Sequence, residues 1–145
     1  MIKLFTELRI GAIMGTRSIT VVYDEYNDKP VVCMYRQFDG YPSGHGRELA
    51  EILKDRVIVN GFGLNEKTKV SNGMGCLAAT IVASFKTEIG GFYLYPYDVK
   101  GQNNFDQEYE YHVRQGTITV VRAYTDGIMF EGTWNEFYEF CLKDE

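Results

Sequence analysis

The sequence predicts an α+β domain: a mostly antiparallel, strongly twisted sheet with helices packed on one side. Strand-like segments arrive in consecutive runs near the front and the end of the chain, without the strand–helix alternation that a doubly wound parallel sheet needs. Tight-turn chemistry joins them, at Asn27 and Asp28, at Gln115 and Gly116, and at Asp126 and Gly127. The closing segment after Thr133 carries a helix-start signal and a single apolar stripe.

Residues 19–23 are β-branched and aromatic, as a strand should be, and residues 31–38 follow across a turn as the second arm of an antiparallel hairpin. A Gly- and Pro-punctuated loop over 39–46 delivers the chain to a helix over 47–56, with Leu49, Ile52 and Leu53 on one face and Glu48, Glu51, Lys54 and Asp55 on the other. Residues 57–75 read as irregular. Residues 76–86 are apolar nearly all round, which predicts a helix buried on most faces. Strands are expected over 92–97, 108–114, 117–124 and 128–131. The last helix places Trp134, Phe137, Tyr138, Cys141 and Leu142 on one stripe, with Thr133 and Glu136 spaced as a capping box.

At 145 residues the chain suits one domain, residues 14–145, preceded by an N-terminal extension or arm over residues 1–13. That arm lacks the apolar core and cleavage site of a secretion signal, and no apolar run approaches the ~20 residues of a membrane span. A cytoplasmic location is the expectation. The net charge of −5 argues against a broad surface for long nucleic acid, while leaving room for a few arginines converging on one small anion. Cys33, Cys76 and Cys141 each sit in an apolar run with no metal-ligand spacing, so three reduced core thiols are expected, with no metal and no cofactor.

The most informative stretch runs from Met34 to Gly46: an arginine, a carboxylate, aromatic residues on either side of a turn, and one of two histidines. Arg36 on the second strand and Arg17 just before the first are candidates for a fork on carboxylate or phosphate. Exposed ion pairs are the alternative. Phe38 and Tyr41 offer rings for stacking. Asp39 and His45 have the spacing of a carboxylate orienting an imidazole, though no nucleophile with a recognisable elbow accompanies them; His45 is equally placed to cap the helix. Asn72, Gly73, Met74 and Gly75, ahead of the apolar helix, expose backbone N–H groups that suit an anion, or simply make the turn. His112 reads as a surface residue. Tyr93 and Tyr95, like Tyr109 and Tyr111, project pairwise to single faces, as cross-strand packing or as open platforms for bases.

The motifs over 14–18, 35–46, 59–62 and 72–76, in this order, resemble a family of short uncharacterised proteins from phages, prophages and bacteria, over residues 14 to about 97. The resemblance implies a phage or mobile-element setting, where small domains often counter host defence, and hands over no reaction. The resulting expectation is a non-enzymatic accessory protein that sequesters a small nucleotide-like anion such as an immune second messenger. Arg17, Arg36, Asp39, His45 and the 72–75 turn would share one mouth. The alternatives are a nucleotide phosphodiesterase, lyase or transferase using His45 and Asp39, and a protein-binding inhibitor of a host enzyme. A homodimer or higher homo-oligomer is an open possibility.

Overall fold

The computed structural model describes residues 15–61, 69–100, 105–125 and 127–144, so the expected arm over 1–13 lies outside the described residues. Six strands form the main sheet in the order β5-β2-β1-β6-β7-β8. They are β1 (Ser18–Tyr23), β2 (Pro30–Arg36), β5 (Phe92–Leu94), β6 (Tyr109–Arg114), β7 (Thr117–Arg122) and β8 (Gly127–Thr133). The β1–β2 hairpin forms as its turn chemistry requires, and every pairing in this sheet is antiparallel except β1 with β6. The fold is therefore α+β. Strand β1 is buried along its whole length because both of its neighbours and both of its faces are covered, which suits its unbroken β-branched run.

Three helices, α1 (Arg47–Leu53), α2 (Gly73–Phe85) and α3 (Trp134–Lys143), lie on one face of that sheet. Strand register sorts the side chains: Ser18, Thr20 and Val22 share the helix-covered face with Arg36, Met34, Tyr109, Tyr111 and Val113. The core there joins Leu49 and Leu53 of α1, Met74, Leu77 and Ile81 of α2, and Trp134 and Phe137 of α3. Burial at this scale is worth roughly 1.5–3 kcal/mol for each large aliphatic side chain. The opposite face carries Ile19, Val21, Tyr23 and Cys33 under Tyr35, Tyr97 and Phe105.

Several boundaries differ from the sequence reading. Helix α1 stops at Leu53 rather than near Arg56, because Asp55 adopts φ +61° and the Arg56 side chain folds back to cap the Ile52 carbonyl at 2.8 Å. The expected irregular region holds a short parallel pair, β3 (Val57–Val59) with β4 (Val70–Asn72). Helix α2 starts three residues early, at Gly73, and buries one stripe only; Cys76 faces outward, so the expectation of three core thiols holds for Cys33 and Cys141 alone. At α3 the capping box forms in full: the Glu136 N–H donates to Thr133 Oγ1 at 3.1 Å and the Thr133 N–H to Glu136 Oε1 at 2.8 Å.

His112 is not a surface residue. Its side chain is 11% exposed and sits in a chain of hydrogen bonds on the second face. The Glu110 carboxylate accepts from Nε2 at 2.9 Å, and Nδ1 shares a hydrogen bond with the Tyr23 hydroxyl at 2.7 Å. Gln107 donates to the other Glu110 oxygen at 2.8 Å. The hydrogen bond from His112 holds the Glu110 carboxyl below its ordinary range, against the upward push of burial. Among the described residues, no helix is long and apolar enough to cross a membrane.

Candidate functional site

The turn from Asp39 to Gly46 is not a free loop. Residues Pro42–Gly46 make one wide π-helical turn that runs directly into α1. Asp39 takes φ +62° and its carbonyl accepts the His45 N–H at 2.8 Å. A Cβ at Gly44 would stand 2.6 Å from that same carbonyl oxygen, so only glycine lets the turn close this tightly. From beneath, Tyr111 donates to the Gly40 carbonyl at 2.7 Å; from the side, the Ser43 N–H donates to the Asp144 carboxylate at 3.2 Å. The turn is thereby pressed onto the core, and His45 is buried completely.

The buried imidazole has one consistent protonation pattern. A guanidinium only donates, so the 3.2 Å contact between Arg36 Nη1 and His45 Nδ1 makes Nδ1 the acceptor. Nε2 then carries the hydrogen and donates to Thr20 Oγ1 at 2.7 Å. The ring packs against Phe85 and Tyr111 at centroid distances of 4.7 and 5.1 Å. Burial first, and the Arg36 charge second, lower its pKa from 6.5 to about 3, so it is neutral at physiological pH.

Arg36 is held on three sides by this arrangement. Its Nε donates to the Phe38 carbonyl at 2.6 Å, and Nη1 donates to Glu48 Oε1 at 2.5 Å as well as to His45. The guanidinium lies over the Phe92 ring at 4.9 Å and near Phe85 at 5.7 Å. Among the described residues, Nη2 has no partner. Two hollows meet at Arg36 and Phe92. One, of about 370 Å³, is lined by Glu48, Ile52, Ser84, Phe85 and Thr87; the other, of about 300 Å³, by Phe38 and the 88–91 turn. Together they form a groove with a fixed cation in its floor, aromatic walls and two hydroxyls, a composition typical of small-ligand sites.

The remaining predicted residues do not all join it. Arg17 is on the other face of the sheet, where it lines a hollow together with Tyr35. The fork of Arg17 with Arg36 therefore does not form. Asn72, Gly73, Met74 and Gly75 sit at the start of α2, whereas Arg36 meets its end at Phe85; thirteen residues of helix put roughly 20 Å between them. That start is already occupied by a carboxylate of the chain itself: the Met74 N–H donates to both Glu25 oxygens, at 3.2 and 3.3 Å, and Asn72 Oδ1 is taken by the Gly61 N–H at 2.7 Å. Asp39 does not orient His45. Its carboxylate accepts from the Tyr41 hydroxyl at 3.2 Å, and the imidazole is oriented by Thr20 and Arg36. The acid–base pairing of Asp39 with His45 is thus not formed. Phe38 lines the groove, and Tyr41 stays exposed beside the turn.

Sequence reasoning missed Thr20, Glu48, Ser84, Thr87 and Phe92. Glu48 reads as part of a solvated helix face, and the facing of Phe92 to Arg36 is a matter of strand pairing. The described residues contain no group of His, Cys, Asp and Glu able to hold a metal ion. No family model, no curated protein and no solved structure matches the chain.

Proposed function

We propose that the protein binds and sequesters a small nucleotide-like anion in the groove at Arg36. The observation that supports this reading is the immobilised guanidinium. A buried neutral histidine, a backbone carbonyl and two aromatic rings hold it, while its Nη2 edge has no partner among the described residues and the side chain lines both hollows. Such preorganisation reduces the ordering cost of binding phosphate or carboxylate. Phe92 and Phe38 supply faces for a ring, and Ser84 and Thr87 supply hydroxyls for its polar edge. Glu48 is the group that an incoming anion displaces from Nη1 or sits beside. In the phage or mobile-element setting implied by the resemblance, the bound molecule is a signalling nucleotide withheld from its receptor.

Calorimetry against a panel of cyclic and linear nucleotides tests this. Arg36→Ala is a poor probe, because it strands the buried His45 Nδ1; Arg36→Lys keeps the charge and removes the fork. The expected result is at least tenfold weaker binding for Arg36→Lys with the ligand recovered unaltered. Absence of binding by the wild-type protein across the panel overturns the reading.

A further inference from the structure

Consecutive residues of a strand project to opposite faces, so Tyr35 stands behind the sheet directly beyond Arg36. Tyr93 pairs with Tyr35 across β2 and β5, and the ring of Tyr95, two residues later, meets Tyr35 on the same face. Phe105 comes in from the chain segment before β6. The centroids of Tyr95 and Phe105 are 5.3 Å apart, and each lies 6.1 Å from that of Tyr35. Tyr93 extends the cluster at 6.2 Å from Tyr35. These rings do not close into a sealed core. Tyr93 and Tyr95 are 41% and 43% exposed, and a hollow of about 450 Å³ opens among Arg17, Tyr35, Tyr95, Phe105 and Asp106.

We propose that this hollow is a second, separate ligand site, which takes a planar heteroaromatic ring bearing an anionic group, as in a nucleoside monophosphate. The rings supply stacking faces, which accept any base without reading its edges. Arg17 lines the same hollow as Tyr35, Tyr95 and Phe105 and supplies a cation beside the stacking surface. A hollow of this size lies within the range of small-molecule sites. The stacking-plus-guanidinium combination favours a ring and an anion in one molecule over either alone. The six-stranded sheet separates this hollow from the Arg36 groove, and the proposal does not depend on that groove being occupied.

The experiment is a titration of the full chain with AMP, adenosine and inorganic phosphate, using Tyr95→Ala, Arg17→Gln and Arg36→Lys variants whose far-ultraviolet dichroism matches the wild type. AMP should bind more tightly than adenosine or phosphate. Tyr95→Ala and Arg17→Gln should each weaken AMP at least tenfold, while Arg36→Lys leaves it within twofold. No AMP binding by the wild type, or AMP binding unchanged in both Tyr95→Ala and Arg17→Gln, overturns the proposal. Loss of AMP binding in Arg36→Lys alone assigns the nucleotide to the groove and removes the second site.

Discussion

Acidification from pH 7 to pH 5 should cost the fold about 2 kcal/mol through His45 alone. The imidazole is fully buried, and burial followed by the Arg36 charge brings its pKa to about 3. In the unfolded chain the same group takes up its proton below about pH 6.5. The stability due to keeping His45 neutral is therefore complete above that value and is lost as the pH falls toward 3. Each pH unit inside the window is worth about 1.4 kcal/mol, and about one and a half units separate 6.5 from 5. Urea unfolding at pH 7, 6 and 5, followed through the single tryptophan, Trp134, measures this directly. The control is His45→Asn, whose amide oxygen still accepts from Arg36 but does not titrate. Other titrating groups, Glu110 among them, are common to both proteins, so the difference between the two pH profiles isolates His45. Parallel profiles would refute the buried neutral imidazole, and with it the account of how Arg36 is held.

Other outcomes follow from the same coordinates. At pH 8 a thiol reagent should modify one cysteine per native chain, at the exposed Cys76, because burial keeps Cys33 and Cys141 out of reach and pushes both thiols up to about 12; three equivalents should react once the chain is unfolded in guanidinium, and rapid native reaction of all three contradicts the packing. Thr133→Ala removes the hydroxyl that accepts from Glu136 at the start of α3 and should destabilise the protein by about 1 kcal/mol in urea unfolding, without altering nucleotide titrations.

Local signals were legible in the chain. The β1–β2 hairpin, the turn at Gln115 and Gly116, and the Thr133–Glu136 box all rest on residues within a few positions of one another, where backbone geometry and side-chain chemistry act directly. The segregation of strands into runs was enough for the α+β class. Arg36 and the 39–46 turn, both conspicuous in the sequence, lie together in the structure around the groove.

The site's composition was decided by contacts that no local pattern encodes. Strand pairing sets Ser18 opposite Arg36, which sends Arg17 to the other face; a register shifted by one residue would have put the two guanidinium groups on the same side. Glu25 occupies the start of α2 from 49 residues away, and Thr20 reaches His45 across 25. The same packing turned the conspicuous histidine of the turn into a buried brace and gave the unremarkable His112 a place in a hydrogen-bonded chain. Short-range chemistry chooses strand, turn or helix, whereas which face a side chain occupies and what it meets there follow from register and burial across the whole sheet.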